Sequence, residues 1–139
     1  VVLAAAISLE SAITNSGLSR VIADGIFAIG GSSPMLALAA VFLGCIVMTN
    51  IITNAAAAAF MFPVAMSLAH QLDANPAPFI AILLLGSSNA FISPAGYQTN
   101  LMVMGPGRYR FFDYVKLGVP LTLVAGTVSL LLAPLVWQF

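Results

Sequence analysis

Two long stretches of this chain, residues 25–71 and 74–107, contain no Asp, Glu, Lys or Arg. Each is mostly apolar but holds a short polar segment: Thr49–Asn54 (TNIITN) in the first and Ser93–Asn100 (SPAGYQTN) in the second. A break in a helix at membrane depth is tolerated only where it is buried in protein or lines a hydrated cavity. The two polar segments therefore predict a small-ion or anion site inside a membrane protein.

The composition fits the same class of protein. Hydrophobic residues make up 61% of the chain and charged residues 6%, whereas soluble domains carry about 25% charge. The formal net charge is zero, which argues against a nucleic-acid partner because such a partner requires a clustered basic face. We expect an all-α, multi-pass protein of the cell membrane (inner or plasma membrane), with the lipid bilayer as its surroundings.

The chain has 139 residues and begins at Val1 rather than Met. It is expected to be the C-terminal part of a larger transporter and to share its site with the rest of that protein. Residues 1–33 are interpreted as the end of a scaffold span followed by a connecting or interfacial helix, closed by the small residues 30–33.

Residues 34–69 are expected to form a re-entrant helical hairpin with its tip at 52–55. The second apolar run, residues 55–69, would reach about 22 Å as a helix, which is shorter than a hydrocarbon core of about 30 Å. A conventional span with a polar kink is the alternative. The loop that follows holds His70, which is interpreted as a solvated side chain.

Residues 79–104 are expected to form a discontinuous transmembrane helix with its break at 93–100. The first apolar run, residues 79–92, is again too short to cross, at about 21 Å. Pro94 removes a backbone donor and Gly96 permits unusual dihedral angles, so the break has a cause. Split helices of this kind hold substrate near the membrane midplane in transporters.

Residues 105–116 are expected to form a cytoplasmic loop, because they contain three of the four basic residues, Arg108, Arg110 and Lys116. Residues 117–139 then form the last transmembrane helix. Its apolar run to Val136 is about 30 Å long, enough to cross once.

The two breaks supply opposite kinds of ligand without any formal charge. Carbonyl groups at the end of a half-helix, together with Thr, Ser and Asn oxygens, can coordinate a hard cation such as sodium. Amide groups at the start of the next half-helix attract an anion. No Asp or Glu lies near either break to carry a proton, so sodium is the preferred coupling ion.

Several segments resemble the divalent anion:sodium symporter family, which includes the sodium/sulfate and sodium/dicarboxylate symporters. They are residues 49–64 with Thr53-Asn54 at the tip, residues 93–103 (SPAGYQTNLMV), Gly105–Phe111 (GPGRYRF), Asp113-Tyr114 and residues 118–121 (GVPL). The likeness is closest to bacterial sulfate permeases. It implies an elevator-type transporter with two inverted repeats, of which this chain is the C-terminal one and the N-terminal one is missing. It also allows a homodimer.

The resemblance also implies site residues. Residues 53–55 occupy the position of the family's Ser-Asn-Thr triplet, although Ala55 lacks the hydroxyl. Asn54 is expected to contact both sodium and substrate. The implied sodium ligands are Thr49, Ile52, Asn54 and Ile92, with Ile52 and Ile92 acting through their carbonyls. The implied substrate-binding residues are Thr53, Asn54, Ser93, Pro94, Gly96, Thr99 and Asn100.

The leading hypothesis is a fragment of a secondary active transporter that couples sodium entry to the uptake of a small divalent anion. Sulfate is the first expectation and a dicarboxylate the second, and sodium is a transported ion rather than a prosthetic group. A passive channel or pore-lining subunit is the alternative. An intramembrane enzyme is disfavoured, because all four acidic residues and the single His fall near helix ends or in loops.

Overall fold

The computed structural model describes the backbone of residues 2–30 and 33–137, and their side chains except at positions 2, 3, 6, 9, 10 and 30. Within these residues the fold is all-α, as predicted. The helices are α1 (Val2–Asn15), α2 (Leu18–Gly30), α3 (Pro34–Ile51), α4 (Asn54–Gln71), α5 (Pro76–Ser87), α6 (Gln98–Met104) and α7 (Phe111–Val136). Residues 31 and 32 of the predicted small-residue closure, and residues 138 and 139 of the predicted last helix, lie outside the described part.

Helices α3 and α4 form a helical hairpin. Pro34 occupies the first turn of α3, where its missing N–H costs nothing, and only Ile52 and Thr53 are non-helical between the two helices. The packing shows that α4 folds back along α3. A Cβ on Gly44 of α3 would lie 2.7 Å from the Met61 side chain of α4, whereas a single kinked span would place these residues far apart.

Both arms of the hairpin have 18 residues, or about 27 Å each. The second arm continues through His70 to Gln71, so His70 lies in the last turn of α4 rather than in a loop. Helix α5 packs against both arms, and α1 and α2 pack against α4. The core between these helices contains fully buried side chains from three of them: Leu38, Val41 and Cys45 from α3, Val64 and Leu68 from α4, and Phe79 and Ile82 from α5.

The second polar region is a ten-residue gap between helices. Helix α5 ends at Ser87 and α6 begins at Gln98, so residues 88–97, here called the unwound segment, are not helical. The break begins before Ser93, at three consecutive small polar residues, Ser87-Ser88-Asn89, and the Thr49 hydroxyl lies 2.6 Å from the Ser87 carbonyl oxygen at its start. Residues 98–100 already belong to α6.

Helices α3 and α7 are, among the described residues, the two that are long and apolar enough to cross a membrane. Helix α7 begins at Phe111 rather than at 117, because the Arg110 amide donates to the Asp113 carboxylate at 2.7 Å and closes its first turn. Its 26 residues reach about 39 Å. It packs against α5 and α3, and a Cβ on its Gly118 would lie 2.8 Å from the Cα of Ile92, so its first half lies beside the unwound segment.

Candidate ion and anion site

Three oxygen atoms meet where the hairpin touches the end of α5. The hydroxyl oxygen of Thr49, on the last turn of α3, lies 2.6 Å from Oδ1 of Asn54 and 2.6 Å from the Ser87 carbonyl oxygen. Thr49 is fully buried and Ser87 is buried. This three-oxygen cluster joins residues that are far apart in sequence, because α5 packs directly against α3.

The Thr49 hydroxyl has two close oxygen neighbours but a single proton, so it donates to one of them at a time. The contact with Asn54 is also satisfied when the amide is turned so that its Nδ2 donates to the Thr49 oxygen, an orientation that a cation among the oxygens would reverse. Oxygen-only groups of this kind suit a hard cation, and none of the three oxygens carries a formal charge.

Asn50, the residue after Thr49, binds the unwound segment on three atoms. Its Oδ1 accepts hydrogen bonds from the Ile92 amide at 3.1 Å and the Ser93 amide at 2.9 Å. Its Nδ2 donates to the Ile46 carbonyl at 2.8 Å and lies 3.5 Å from the Asn89 carbonyl. The side chain therefore connects the hairpin to both halves of the unwound segment.

Gly96 allows the unwound segment to approach the hairpin backbone. A Cβ at this position would collide with the carbonyl oxygen of Thr49 and would lie 3.2 Å from the Cα of Asn50. Gly118 of α7 has the same role on the other side, where a Cβ would collide with the backbone carbonyl of Phe91 and lie 2.8 Å from the Cα of Ile92. The segment is thus held between the hairpin and α7 by two glycines.

A cavity of about 380 Å³ opens beside the three-oxygen cluster. Its lining includes three predicted site residues, Asn54, Thr99 and Asn100, together with Ser88, Ala90, Phe91 and Tyr97. The volume lies within the range of about 300–1,000 Å³ typical of small-molecule sites. Asn54 belongs to both places, because its Oδ1 faces Thr49 while the residue lines the cavity.

The far wall of the cavity is fixed by Asn100. Its Nδ2 donates to the Ala90 carbonyl at 2.9 Å and to the Ser93 carbonyl at 3.3 Å. Its own carbonyl accepts a hydrogen bond from the Tyr114 hydroxyl at 2.7 Å. Helix α6 is therefore tied to the unwound segment on one side and to the first turn of α7 on the other.

Four predicted substrate-binding residues are not among the residues that line the cavity: Thr53, Ser93, Pro94 and Gly96. Thr53 is exposed and caps α4, accepting a hydrogen bond from the Ala56 amide at 3.3 Å. Ser93 is buried and accepts a hydrogen bond from the Ala95 amide at 3.1 Å; Pro94 and Gly96 are buried beside it.

The two predicted carbonyl ligands occupy the two breaks. Ile52 is the extended residue that ends α3, with its amide donating to the Met48 carbonyl at 2.8 Å. Ile92 lies in the unwound segment under the Asn50 side chain.

Sequence reasoning did not single out four residues of this network. They are Asn50, Ser87, Asn89 and Tyr114, and Asn89 is buried with its Oδ1 3.3 Å from the Thr122 hydroxyl. The run Ser87-Ser88-Asn89 was itself a signal, because three consecutive small polar residues favour a helix end over a helix interior. The partner of Tyr114 could not be found without the fold.

The α3–α4 hairpin and the unwound segment between α5 and α6 enclose a polar cavity, an arrangement that is compatible with a membrane transport protein. Residues 1–139 match the model of a family described as citrate transporter (CitMHS), and the chain belongs to this family.

The curated relatives that match this chain are also named as transporters. An uncharacterized transporter of Synechocystis is 39% identical over 136 residues, covering 97% of this chain and 22% of the relative. A probable sodium/sulfate cotransporter of Chlamydomonas reinhardtii is 36% identical over 122 residues, covering 85% of this chain and 13% of the relative. A sodium-dependent high-affinity dicarboxylate transporter of Caenorhabditis elegans is 29% identical over 111 residues, covering 80% of this chain and 20% of the relative.

These matches confirm the predicted family and the prediction of a membrane transporter rather than an enzyme. The chain spans about a fifth or less of the length of these relatives.

Proposed function

We propose that this chain is the C-terminal inverted repeat of an elevator-type secondary transporter that couples sodium entry to the uptake of a small divalent anion. Sulfate is the first substrate and a dicarboxylate the second. The main observation in support of the proposal is that Asn54 lies at both candidate sites. Its side-chain oxygen belongs to the three-oxygen cluster, and the residue also lines the cavity.

The cluster is the proposed sodium site. Thr49 and Asn54 supply side-chain oxygens, and the carbonyls of Ile52 and Ile92 complete the shell as the family resemblance implies. The Ser87 carbonyl, 2.6 Å from the Thr49 hydroxyl, is an additional candidate ligand. A cation among these oxygens would attract all of them at once, so sodium binding would stabilise the tip.

The cavity is the proposed anion site. Helix α4 begins at its edge with Asn54, and the first amides of a helix have no acceptor within that helix. Thr53 caps the amide of Ala56, so the amides of Asn54 and Ala55 are the proposed donors to the anion. The 18-residue helix also carries partial positive charge at this end. Thr99 and Asn100 provide polar groups opposite, while Thr53, Ser93, Pro94 and Gly96 shape the two breaks that form the walls.

Sulfate is placed first because relatives named as sodium/sulfate cotransporters are 32–36% identical to this chain, against 29% for the dicarboxylate transporter. The proposed topology places the basic loop around Arg108 in the cytoplasm and makes α3–α4 a re-entrant hairpin. The missing N-terminal repeat would contribute the other half of the site, in a protein able to form a homodimer.

The test is uptake by the full-length protein in proteoliposomes. Radiolabelled sulfate, succinate and citrate are supplied with an inward sodium gradient, with an equal sodium concentration on both sides, and with choline in place of sodium. Concentrative uptake of sulfate that requires the sodium gradient supports the proposal. Uptake that only equilibrates and is indifferent to sodium contradicts it and indicates a passive channel.

A further inference from the structure

Asn50 uses most of the hydrogen-bonding capacity of its side-chain amide on the unwound segment. The amide has two acceptor positions and two donor hydrogens. The acceptor faces the amides of Ile92 and Ser93, and the donors face the carbonyls of Ile46 and Asn89. This pattern also fixes the orientation of the amide, because a flipped group would set nitrogen against two N–H groups.

One hydrogen-bond partner of Asn50 is Ile92, which is also a proposed sodium ligand. Ile92 donates its amide to Asn50 at 3.1 Å, and its carbonyl is a proposed sodium ligand. Thr49, one position earlier, contacts the Ser87 carbonyl at the start of the break. Two consecutive residues of α3 therefore hold the start and the middle of the break against the hairpin.

We propose that Asn50 is a positioning residue for sodium coupling, which holds the unwound segment on the hairpin so that the Ile92 carbonyl reaches the sodium site. It does not bind the ion itself. This inference rests on the proposed sodium site and extends it to a residue that neither the composition of the site nor the family resemblance assigned. Gly96 cooperates with Asn50, because its missing side chain lets the same segment lie against the Asn50 backbone.

If Asn50 positions the Ile92 carbonyl, its substitution should lower the affinity for sodium and leave the maximal transport rate nearly unchanged. Asn50→Leu keeps the size of the side chain but leaves the amides of Ile92 and Ser93 without their acceptor. The ligand carbonyl is then positioned less often, so the sodium concentration for half-maximal uptake should rise about tenfold, the scale expected when a buried hydrogen bond is lost. The maximal rate per folded molecule, measured at saturating sodium, should stay within about twofold of wild type, because saturating ligand repopulates the competent state.

The experiment compares full-length wild type, Asn50→Leu and the matched control Asn75→Leu. Asn75 caps α5 by accepting a hydrogen bond from the Ala77 amide at 3.0 Å, so the control removes an amide that binds backbone elsewhere. Sulfate uptake is measured against sodium concentration and normalised to folded protein, and thermal stabilisation by sodium alone gives a second reading. If Asn50→Leu does not fold, Asn50→Ser replaces it under the same criteria.

Labelling of an introduced cysteine tests whether the unwound segment is held on the hairpin, without a transport measurement. In a full-length background without Cys45 or any other cysteine, Ala90→Cys places a thiol on a buried residue of the unwound segment. Its maleimide labelling rate, normalised to the denatured protein, should rise at least about threefold when Asn50→Leu is added, because a lost hydrogen bond shifts such an equilibrium by this order.

A sodium affinity that shifts in Asn50→Leu but not in Asn75→Leu, together with faster labelling, supports the inference. An unchanged sodium affinity and labelling rate, with only the maximal rate or folded yield reduced, overturns it. Wild-type uptake that ignores sodium overturns the proposed function instead, and the labelling rate then still decides whether Asn50 holds the segment.

Discussion

The side-chain oxygens of Thr49 and Asn54 lie 2.6 Å apart, across the two residues that separate α3 from α4. Thr49 is fully buried, while Asn54 reaches the cavity that we assign to the anion. One short contact therefore connects the proposed sodium site to the proposed anion site. Coupling between the two ligands would be carried by this contact.

Thr49→Val should raise the sodium concentration needed for half-maximal uptake at least about tenfold, since leaving a buried polar group unpaired costs about 1–3 kcal/mol. Valine matches threonine in shape but has no oxygen for the cation. Thr127→Val is the matched control, because its hydroxyl is exposed and donates to the Leu123 carbonyl of its own helix. Equal sodium affinities in both variants would contradict the assignment of Thr49.

Gly96→Ala should abolish coupled uptake and lower stability by about 1–3 kcal/mol, the usual cost of overpacking. The new methyl group would meet the backbone carbonyl of Thr49, which cannot move without displacing the hairpin tip. Gly105→Ala is the control, because a Cβ there meets nothing within 4 Å. Thermal unfolding and sulfate uptake of both variants provide the measurement, and an active, stable Gly96→Ala variant would be inconsistent with the close approach.

Tyr114→Phe should weaken anion binding about fivefold, corresponding to about 1 kcal/mol for one hydrogen bond. The lost bond, from the Tyr114 hydroxyl to the Asn100 carbonyl, fixes α6 against α7 at the cavity wall. The KM for sulfate at saturating sodium is the measurement, with Tyr109→Phe as the control on a half-exposed ring that contacts Tyr114 edge to face. A larger effect in the control than in Tyr114→Phe would refute this role.

The sequence was sufficient to predict the all-α class, because long continuous apolar runs without charge satisfy their backbone hydrogen bonds in a membrane as helices. The first polar segment of the sequence also predicts the position of the hairpin turn, since α4 begins at Asn54, directly after Thr53. The start of the unwound segment was harder to predict. The run Ser87-Ser88-Asn89 is a local signal for the end of α5, whereas the contact between the Ser87 carbonyl and Thr49, 38 positions earlier, leaves no local signal.

The site residues also divide into those with a signal in the sequence and those whose role depends on long-range contacts. Asn54, Thr99 and Asn100 were predicted from the family pattern and line one cavity. Asn50 was passed over, although it lies inside the first polar segment, because its role depends on which backbone groups of the unwound segment lie opposite. The Tyr114 contact to Asn100 likewise follows from the docking of α7 and not from any motif.

The most direct test of the account is the affinity of the purified full-length protein for sulfate, measured by calorimetry at low and at saturating sodium. Because Asn54 is shared by both proposed sites, sodium should tighten sulfate binding by about 5- to 150-fold, the usual range of a coupling free energy, and Asn54→Ala should remove this dependence. Asn75→Ala should retain it. A wild-type sulfate affinity that is the same with and without sodium, or a sodium effect that persists in Asn54→Ala, would contradict the account.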